Sequence, residues 1–250
     1  MSDTIIEVKN LRKTYLVGET KVKALNGVDF TINRGEFCMV VGTSGSGKST
    51  LLNMLAGLEK PTKGEIIIAG EHIEHKSEGA LVKFRQKHVG FIFQQYNLLP
   101  SLNAIENVAL PLTFQGVDKL TREFKAKKML DLVNLKGSYL HLPTQLSGGQ
   151  QQRVGIARAL VVKPEIIFAD EPTGNLDSKT SMQVLLLMQK IAHEKNQTIV
   201  MVTHDNYLAQ FADKLIRVLD GKITEITDNR ENAKLMFEEL LKNSNNNTEA

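Results

Sequence analysis

The pattern of apolar and polar positions predicts a chain in which short strands alternate with helices. Apolar runs bounded by turn residues indicate strands over residues 5–8, 22–25, 28–32, 37–41, 65–69, 89–93, 165–169, 198–203, 214–218 and 222–226. Apolar residues spaced three and four apart indicate helices over residues 51–58, 77–87 and 181–193. Such alternation is typical of α/β proteins with a mostly parallel sheet.

A change in hydrophobic spacing marks the middle of the chain. From residue 94 to residue 163 the apolar positions mostly follow a helical period, as in Ala104, Ile105, Val108 and Ala109. The simplest interpretation is a helical segment inserted between two strand-bearing parts.

The C-terminal residues 228–250 differ from both parts. Residues 231–242 predict an amphipathic helix, with these apolar residues on roughly one side: Leu235, Met236, Leu240 and Leu241. Residues 243–250 are polar and rich in asparagine, which predicts a frayed, flexible tail.

Composition narrows the class of protein. Lys and Arg number 31 against 28 Asp and Glu, and this net charge of +3 is too small to favour a nucleic-acid partner, so we expect none. The single cysteine, Cys38, permits no internal disulfide, fits a reducing compartment and is expected to pack in the core. No apolar run approaches the ~18 residues of a membrane-spanning helix, and the first residues do not resemble a signal peptide. We therefore expect a cytoplasmic location.

A glycine-rich loop after the predicted strand 37–41 carries the strongest chemical signal. It fits G-x-x-x-x-G-K-[ST] without a gap, with the residues Gly42, Thr43, Ser44, Gly45, Ser46, Gly47, Lys48 and Ser49. Glycines let backbone N–H groups surround phosphate oxygens, and the helix that follows presents its positive end to the same anion. Lys48 would contact the β- and γ-phosphates, and the Ser49 hydroxyl would bind Mg²⁺.

Two further predicted strands end in polar residues. The run 166–169 is followed by Asp170 and Glu171, and the run 198–203 is followed by His204. Doubly wound α/β sheets bind their ligands at the carboxyl ends of the strands. We predict that Asp170 holds Mg²⁺, that Glu171 polarises the attacking water, and that His204 contacts the γ-phosphate or orients that water.

A second anion-binding pattern lies in the middle of the chain. Leu146 is followed by Ser147, Gly148, Gly149 and Gln150, ahead of a helical stretch over 151–162. Ser147 is a predicted N-cap, and the glycines expose N–H groups at a positive helix end. One nucleotide cannot obviously use both patterns within one subunit. Either this site serves something else, or it completes a nucleotide site on another copy.

Taken in order, these motifs resemble those of the ATP-binding subunits of ABC transporters. The matching stretches are Gly42–Thr50 as Walker A, Leu146–Gln150 as the signature, Ile166–Glu171 as Walker B and His204 as the switch histidine. The resemblance covers about residues 5–227. Within the family it is strongest to the macrolide-export and lipoprotein-release branch, on Gly18, Glu19, Val22–Leu25, Phe91–Gln95, His141–Pro143 and Gly174–Asp177.

The resemblance implies a fold and a domain organisation. The fold is a P-loop NTPase core of the α/β class, with a mixed, mostly parallel sheet, helices on both faces and an N-terminal antiparallel β subdomain. The core and β subdomain would take residues 1–93 and 164–227. A helical signature subdomain would take residues 94–163, and residues 228–250 would form the amphipathic helix and tail.

The resemblance also implies roles for residues that the motifs above leave out. Thr50 would belong to the nucleotide site, and Tyr15 would stack on the adenine. Gln94 would reach Mg²⁺ and the attacking water, and Asp177 would cross a dimer interface. Tyr15 could instead be an ordinary half-buried aromatic residue. Gln94 could be a surface residue at a strand end, and Gln95 could hold its role.

The implied substrate is ATP, the implied cofactor is Mg²⁺, and the implied assembly is a head-to-tail homodimer. In it the signature residues Ser147, Gly148, Gly149 and Gln150 of one copy meet the ATP held by Walker A of the other. A membrane permease, which can carry a large extracytoplasmic domain, would be the partner. The chain would then lie on the inner face of the membrane and act in export, lipoprotein extraction or other envelope work.

Some alternatives stay open at this point. The apolar segment 96–102 is either a docking surface for the permease or part of the packing of the helical insert. A nucleotide-switched regulator of a membrane or cell-division partner, without transport, is the second functional hypothesis. An ABC protein of DNA repair or translation is disfavoured, since such proteins usually add coiled coils, zinc modules or a second copy.

Overall fold

The structure, a computed structural model, describes residues 3–246 and the side chains of residues 3–240. The strands are β1 (Thr4–Val17), β2 (Thr20–Asn33), β3 (Phe37–Val41), β4 (Lys63–Ile68), β5 (Glu71–His72), β6 (Val89–Ile92), β7 (Ile166–Asp170), β8 (Thr198–Thr203), β9 (Lys214–Leu219) and β10 (Lys222–Asp228). The helices are α1 (Lys48–Leu55), α2 (Glu78–His88), α3 (Ala104–Phe114), α4 (Lys119–Leu132), α5 (Gly148–Leu160), α6 (Ser178–Lys195), α7 (Asn206–Ala209) and α8 (Arg230–Asn246). A short 3-10 helix, Pro143–Gln145, precedes α5.

The strands form two sheets. A six-stranded sheet has the order β10-β9-β3-β8-β7-β6, and within it only the β10–β9 pair is antiparallel. A four-stranded antiparallel sheet has the order β2-β1-β4-β5. The predicted fold class, a mixed and mostly parallel sheet with an N-terminal antiparallel sheet, is therefore confirmed.

The central strand β3 is buried along its whole length, and its side chains alternate between two cores. Phe37, Met39 and Val41 pack in a core that includes residues of α3, α4, α5 and α6. Cys38 and Val40 pack in a core that includes residues of α1, α2 and the antiparallel sheet. This period of two explains why the sequence shows an unbroken apolar run, because both faces of the sheet are covered.

The chain between β6 and β7 contains helices α3, α4 and α5, where the apolar spacing predicts helices. The buried side chain of Asn107 in α3 fixes the segment before it. Its amide donates to the carbonyl oxygens of Leu99, Leu102 and Asn103, and its oxygen accepts from the N–H of Leu99. The segment 96–102 is thereby held against the helix that follows it.

The prediction of two separate strands between residues 22 and 32 is wrong. Residues 22–25 and 28–32 belong to one strand, β2, in which Gly27 adopts a positive φ of 82° close to a register shift against β1. A bulge of this kind keeps both apolar runs on the sheet, although the sequence pattern is interrupted between them.

The C-terminal helix also differs from the prediction. Met236 and Leu240 of α8 pack against the core, but Leu235 is 60% exposed and lies on the other side. The side chain of Leu241 lies outside the described residues. Residues 243–246 continue the helix and are not a frayed tail, while residues 247–250 lie outside the described chain. Among residues 3–246, none of the helices combines the length and the apolarity that crossing a membrane requires.

Candidate functional site

The glycine-rich loop follows β3 directly and leads into α1. Gly45 and Gly47 adopt positive φ angles of 78° and 101°, a region that side chains disfavour. A Cβ atom on Gly47 would lie 2.3 Å from the carbonyl oxygen of Ala24, and one on Gly42 would lie 2.2 Å from that of Val218. The glycines are therefore required both by the loop conformation and by the close approach of neighbouring backbone.

The amine of Lys48 is held at the centre of this loop. Lys48 is 4% exposed, and its Nζ donates to the carbonyl oxygens of Gly42 and Thr43 at 2.8 Å each. The Ser46 hydroxyl in the same loop is buried and has no hydrogen-bond partner. A buried hydroxyl without a partner is costly, so its presence here fits a loop built to receive an anionic ligand.

Asp170 lies at the end of β7, opposite the start of α1. Its Oδ1 accepts a hydrogen bond from the Ser49 hydroxyl at 3.1 Å. Burial raises the pKa of Asp170, and the bond from Ser49 opposes that rise only in part. A carboxylate and a hydroxyl side by side are oxygen donors of the kind that Mg²⁺ prefers, and a bound cation would favour the ionised carboxylate. The residues present therefore fit a magnesium ion.

Glu171 and His204 come together at the ends of neighbouring strands. The Nδ1 of His204 lies 3.0 Å from Oε2 of Glu171, and the N–H of Glu171 donates to the carbonyl of Val202 at 3.1 Å. Glu171 has a φ of 40°, which is rare for a residue with a side chain. Both side chains line a cleft of about 300 Å³. An outlying φ in a cleft is typical of functional sites.

Gln94 follows β6 and packs against the loop after Glu171. Its carbonyl accepts from the Nδ2 of Asn175 at 3.0 Å, and its side-chain Nε2 lies so close to Gly174 that a Cβ there would be 2.8 Å away. Gln94 is thus partly buried beside the Walker B loop, whereas Gln95 is exposed.

Arg158 of α5 supports the backbone just beyond Gln94, a role that no sequence motif indicates. Its guanidinium donates to the carbonyls of Tyr96 and Asn97, two residues with positive φ. Burial lowers the pKa of Arg158. The partners lie about 60 positions apart in sequence, so no local pattern could have revealed the contact.

Tyr15 is a partly exposed residue near the end of β1. Its hydroxyl donates to Oε2 of Glu59 at 2.7 Å, and the amine of Lys13 lies 5.1 Å from the ring centre. Lys13 also pairs with Glu59 at 2.8 Å. Burial of the ring raises the pKa of Tyr15. These contacts fix the ring orientation and leave the predicted adenine stacking as a prediction.

The signature residues begin α5. The Ser147 hydroxyl accepts from the N–H of Gln150, and the Gln150 side chain accepts from the N–H of Ser147, which completes a capping box. Gly148 and Gly149 admit close neighbours, since a Cβ on Gly149 would lie 2.4 Å from the methyl group of Thr180. Asp177 caps α6 by accepting from the N–H and the hydroxyl of the same Thr180. The signature and Asp177 are therefore packed together through one residue.

Comparisons with known proteins identify the family of this arrangement. The model of the ABC transporter family matches residues 25–174. The chain is 51% identical over 222 residues to the ABC transporter ATP-binding protein MJ1508 of Methanocaldococcus jannaschii, covering 89% of this chain and 99% of the relative. The chain belongs to the ABC transporter family. It is an ATP-binding subunit that hydrolyses ATP.

Two more relatives place this ABC subunit within the family. It is 44% identical to the macrolide export ATP-binding/permease protein MacB of a Shewanella species, over 89% of this chain and 34% of that protein. It is also similar to the dimeric, post-hydrolysis structure of the ATP-binding cassette MJ0796 of M. jannaschii bound to ADP and Pi. That likeness has a TM-score of 0.84 and 43% identity, over 90% of this chain and 99% of that one. The predicted branch of the family is confirmed.

Proposed function

We propose that this ABC subunit hydrolyses MgATP between two copies arranged head to tail, and that it drives a membrane permease in export, lipoprotein extraction or other envelope work. The proposal rests on one observation: the chain has two separate anion-binding sites. The Walker residues Lys48, Ser49, Asp170, Glu171 and His204 meet at one edge of the sheet, while the signature offers a second anion site at the start of α5.

Each residue at the sheet edge has a proposed task. The backbone N–H groups of the loop Gly42–Gly47 and the charge of Lys48 bind the phosphates, and Thr50 follows them in α1. Ser49 and Asp170 would hold Mg²⁺, with Gln94 on the same side. When bound, this ion neutralises phosphate charge. Tyr15 positions the adenine.

Glu171 and His204 are proposed to prepare the attacking water. The Glu171 carboxylate accepts a proton from that water, and the imidazole of His204 fixes the carboxylate through the 3.0 Å contact and turns toward the γ-phosphate. The His204 side chain is 62% exposed, so it can reach a ligand without rearrangement of the core.

The signature is proposed to act on the nucleotide of the other copy. Ser147, Gly148, Gly149 and Gln150 stand at the positive end of α5, where an anion is stabilised. Asp177 lies beside them and is exposed, as a residue of a dimer contact must be before assembly. A charge-stabilising group supplied in trans can accelerate phosphoryl transfer by about 10³–10⁵-fold, so the monomer should be a slow ATPase.

The segment 96–102 is proposed to transmit permease movement to the site. Leu98 packs against the core and Leu99 is 44% exposed, so the segment contributes both to internal packing and to the surface. Arg158 and Asn107 fix its backbone, and Gln94 stands just before it. A permease that binds here would hold the chain at the inner face of the membrane. The MacB relative, whose name joins ATP-binding and permease functions in one chain, supports such a partner.

Subunit complementation tests the head-to-tail arrangement. Lys48→Ala destroys Walker A and Ser147→Arg blocks the signature, so we expect each variant alone to be inactive. In a mixture, half of the dimers combine both variants and keep one intact site of two, which predicts recovery of about a quarter of the wild-type ATPase rate. Circular dichroism of each variant controls for folding. A mixture as inactive as its parts would contradict a site shared between copies.

Coupling of ATP turnover to transport distinguishes the proposed function from the regulatory alternative. In vesicles that contain the permease, ATP turnover of this subunit should rise, and substrate should be exported across the bilayer or extracted from it. Nucleotide-dependent association without transport would favour the regulator instead.

A further inference from the structure

A cluster of two histidines and a glutamate lies at the edge of the antiparallel sheet, among residues that the ATPase reaction does not use. His72 ends the edge strand β5, and Glu74 and His75 follow in the turn that leads to α2. One ligand atom from each of the three side chains lies within 4.8 Å of the other two.

The carboxylate of Glu74 is the fixed centre of the cluster. Its side chain is 4% exposed, and its Oε2 accepts from the backbone N–H of Ile66 at 3.1 Å. The other oxygen, Oε1, faces both imidazoles, at 2.8 Å from Nδ1 of His72 and 3.3 Å from Nε2 of His75. The same carboxylate oxygen therefore lies close to one ring nitrogen of each histidine.

Internal hydrogen bonding explains only part of this arrangement. The ring of His72 is hydrogen-bonded to the shared oxygen, and the imidazole of His75, 80% exposed, is free to turn toward water. The two rings stack with centroids 6.1 Å apart and an interplanar angle of 22°, and one nitrogen of each ring lies within 3.3 Å of the same carboxylate oxygen. Such convergence of nitrogen and oxygen atoms is what a metal ion requires.

We propose that His72, Glu74 and His75 form a binding site for a divalent transition metal of the zinc class, with water in the fourth position. Two imidazoles and one carboxylate are a donor set that zinc accepts. Bonds of about 2.1 Å to a tetrahedral ion place the ligand atoms about 3.4 Å apart. The 3.3 Å distance between His75 and Glu74 already fits this spacing, and the 2.8 Å distance between His72 and Glu74 would widen to it by rotation of the exposed His72 imidazole.

The bound ion would join the end of the sheet to the turn before α2. His72 pairs with Ile67 of β4, and Glu74 is tied to Ile66 of the same strand. Coordination would thus pin the short edge strand β5 onto β4. Because no Walker or signature residue takes part, the expected effect is on metal affinity and thermal stability, and not on basal ATP turnover.

Calorimetric titration of the full chain with ZnCl₂, after removal of metal by a chelator, tests the proposal. We expect one zinc ion per chain that the double variant His72→Ala/His75→Ala loses, with affinity lowered at least about tenfold. His141→Ala is the matched control, since His141 is exposed and outside the cluster, and it should bind zinc like the wild type. Both changed histidines are exposed at the surface, so the variants should fold.

Two further readouts separate this site from zinc bound elsewhere. Zinc should raise the melting temperature of the wild type and of His141→Ala, but not that of the double variant, because only folded protein offers the site. Cobalt should give the strong visible absorption of a four-coordinate site in the wild type, and Glu74→Gln should reduce it. Equal zinc affinity and equal thermal shift in the wild type and the double variant would overturn the proposal, as would the absence of zinc binding to the wild type.

Discussion

The two ends of the parallel strands both carry acidic residues, yet the surroundings of these residues differ. At the carboxyl ends, Asp170 accepts from the Ser49 hydroxyl and Glu171 lies beside the His204 imidazole, with the charge of Lys48 acting on Asp170. At the amino ends, Glu36 pairs with Arg230 and Lys214, and Asp213 pairs with His193. Among the described residues, the sheet thus has a carboxylate in close ion pairs with Lys and Arg at its amino end, and carboxylates without such close pairs at its carboxyl end.

The difference teaches which end is built for a ligand. Burial alone would raise the pKa of Glu36, but the N–H of Asn33 and the charge of Lys214 hold that pKa below its ordinary value. Burial raises the pKa of Asp170, although the Ser49 hydroxyl and the charge of Lys48 act against that rise. A partly desolvated carboxylate that is not held in a close ion pair can accept a metal ion, whereas one already paired stabilises the fold.

The largest expected effect is at the carboxyl end. Glu171→Gln keeps the shape of the side chain and removes the base, so ATP turnover should fall by about 10³-fold while ATP still binds. With MgATP the variant should accumulate as a dimer, which light scattering measures. Glu238→Gln, an exposed change on α8, should leave turnover unchanged. Finding only monomer with saturating MgATP would contradict the head-to-tail dimer.

Loss of the Lys48 charge should act on binding. Lys48→Ala removes a buried ammonium that reaches the loop carbonyls at 2.8 Å and would face the phosphates, so ATP affinity should fall by about 100-fold. Calorimetric titration with ATP measures this, with the exposed Lys195→Ala as control. Undiminished affinity would refute the assignment of Lys48.

At the amino end the expected effect is on stability alone. Glu36→Ala leaves Lys214 and Arg230 without their shared carboxylate, and removal of one partner from a buried pair costs about 3 kcal/mol, less where the partner is exposed as Arg230 is. Urea unfolding should show a lower midpoint for this variant than for Glu238→Ala, with the ATPase rate of the remaining folded protein unchanged. Equal midpoints would show that the pairing is not what stabilises this end.

The smallest effect concerns pH. The hydrogen bond and charge of Asp213 raise the pKa of His193 above its ordinary value of 6.5. Protonated His193 therefore adds stability that is full below pH 6.5 and is lost as the pH rises through the raised folded-state pKa. His193 is half exposed, so the contribution is below about 1 kcal/mol. His193→Gln should flatten this part of the unfolding free energy measured against pH, and an unchanged slope would contradict it.

These two ends also differ in how far the sequence alone could predict them. The carboxyl-end residues are predictable from the sequence because each lies in a short motif next to an apolar run, and local chemistry dictates the spacing of that motif. They are the P-loop, Asp170, Glu171 and His204. The pair of Glu36 and Arg230 joins positions 194 residues apart, and its members have no pattern around them. Contacts that only the folded chain creates leave no local signal.

The same limit explains the errors in α8 and β2. The apolar spacing over residues 231–242 places Leu235 on the apolar side, because the pattern alone does not show which face of the helix meets the core. The break around Gly27 predicts two strands where there is one, because glycine in a bulge and glycine in a loop are alike in sequence. The apolar spacing predicts the helical insert, whereas nothing in it predicts the hydrogen bond from Arg158 to the carbonyl of Tyr96.

Cys38 has a practical consequence for experiments on this protein. It is the single cysteine of the chain and is fully buried in β3, and burial raises the pKa of its thiol, so it should not react with thiol reagents in the folded state. The native sequence therefore needs no cysteine removed before a labelling site is introduced. A cysteine introduced at an exposed position such as Lys179 would accept one fluorophore per chain, and energy transfer between copies would then report their approach in real time.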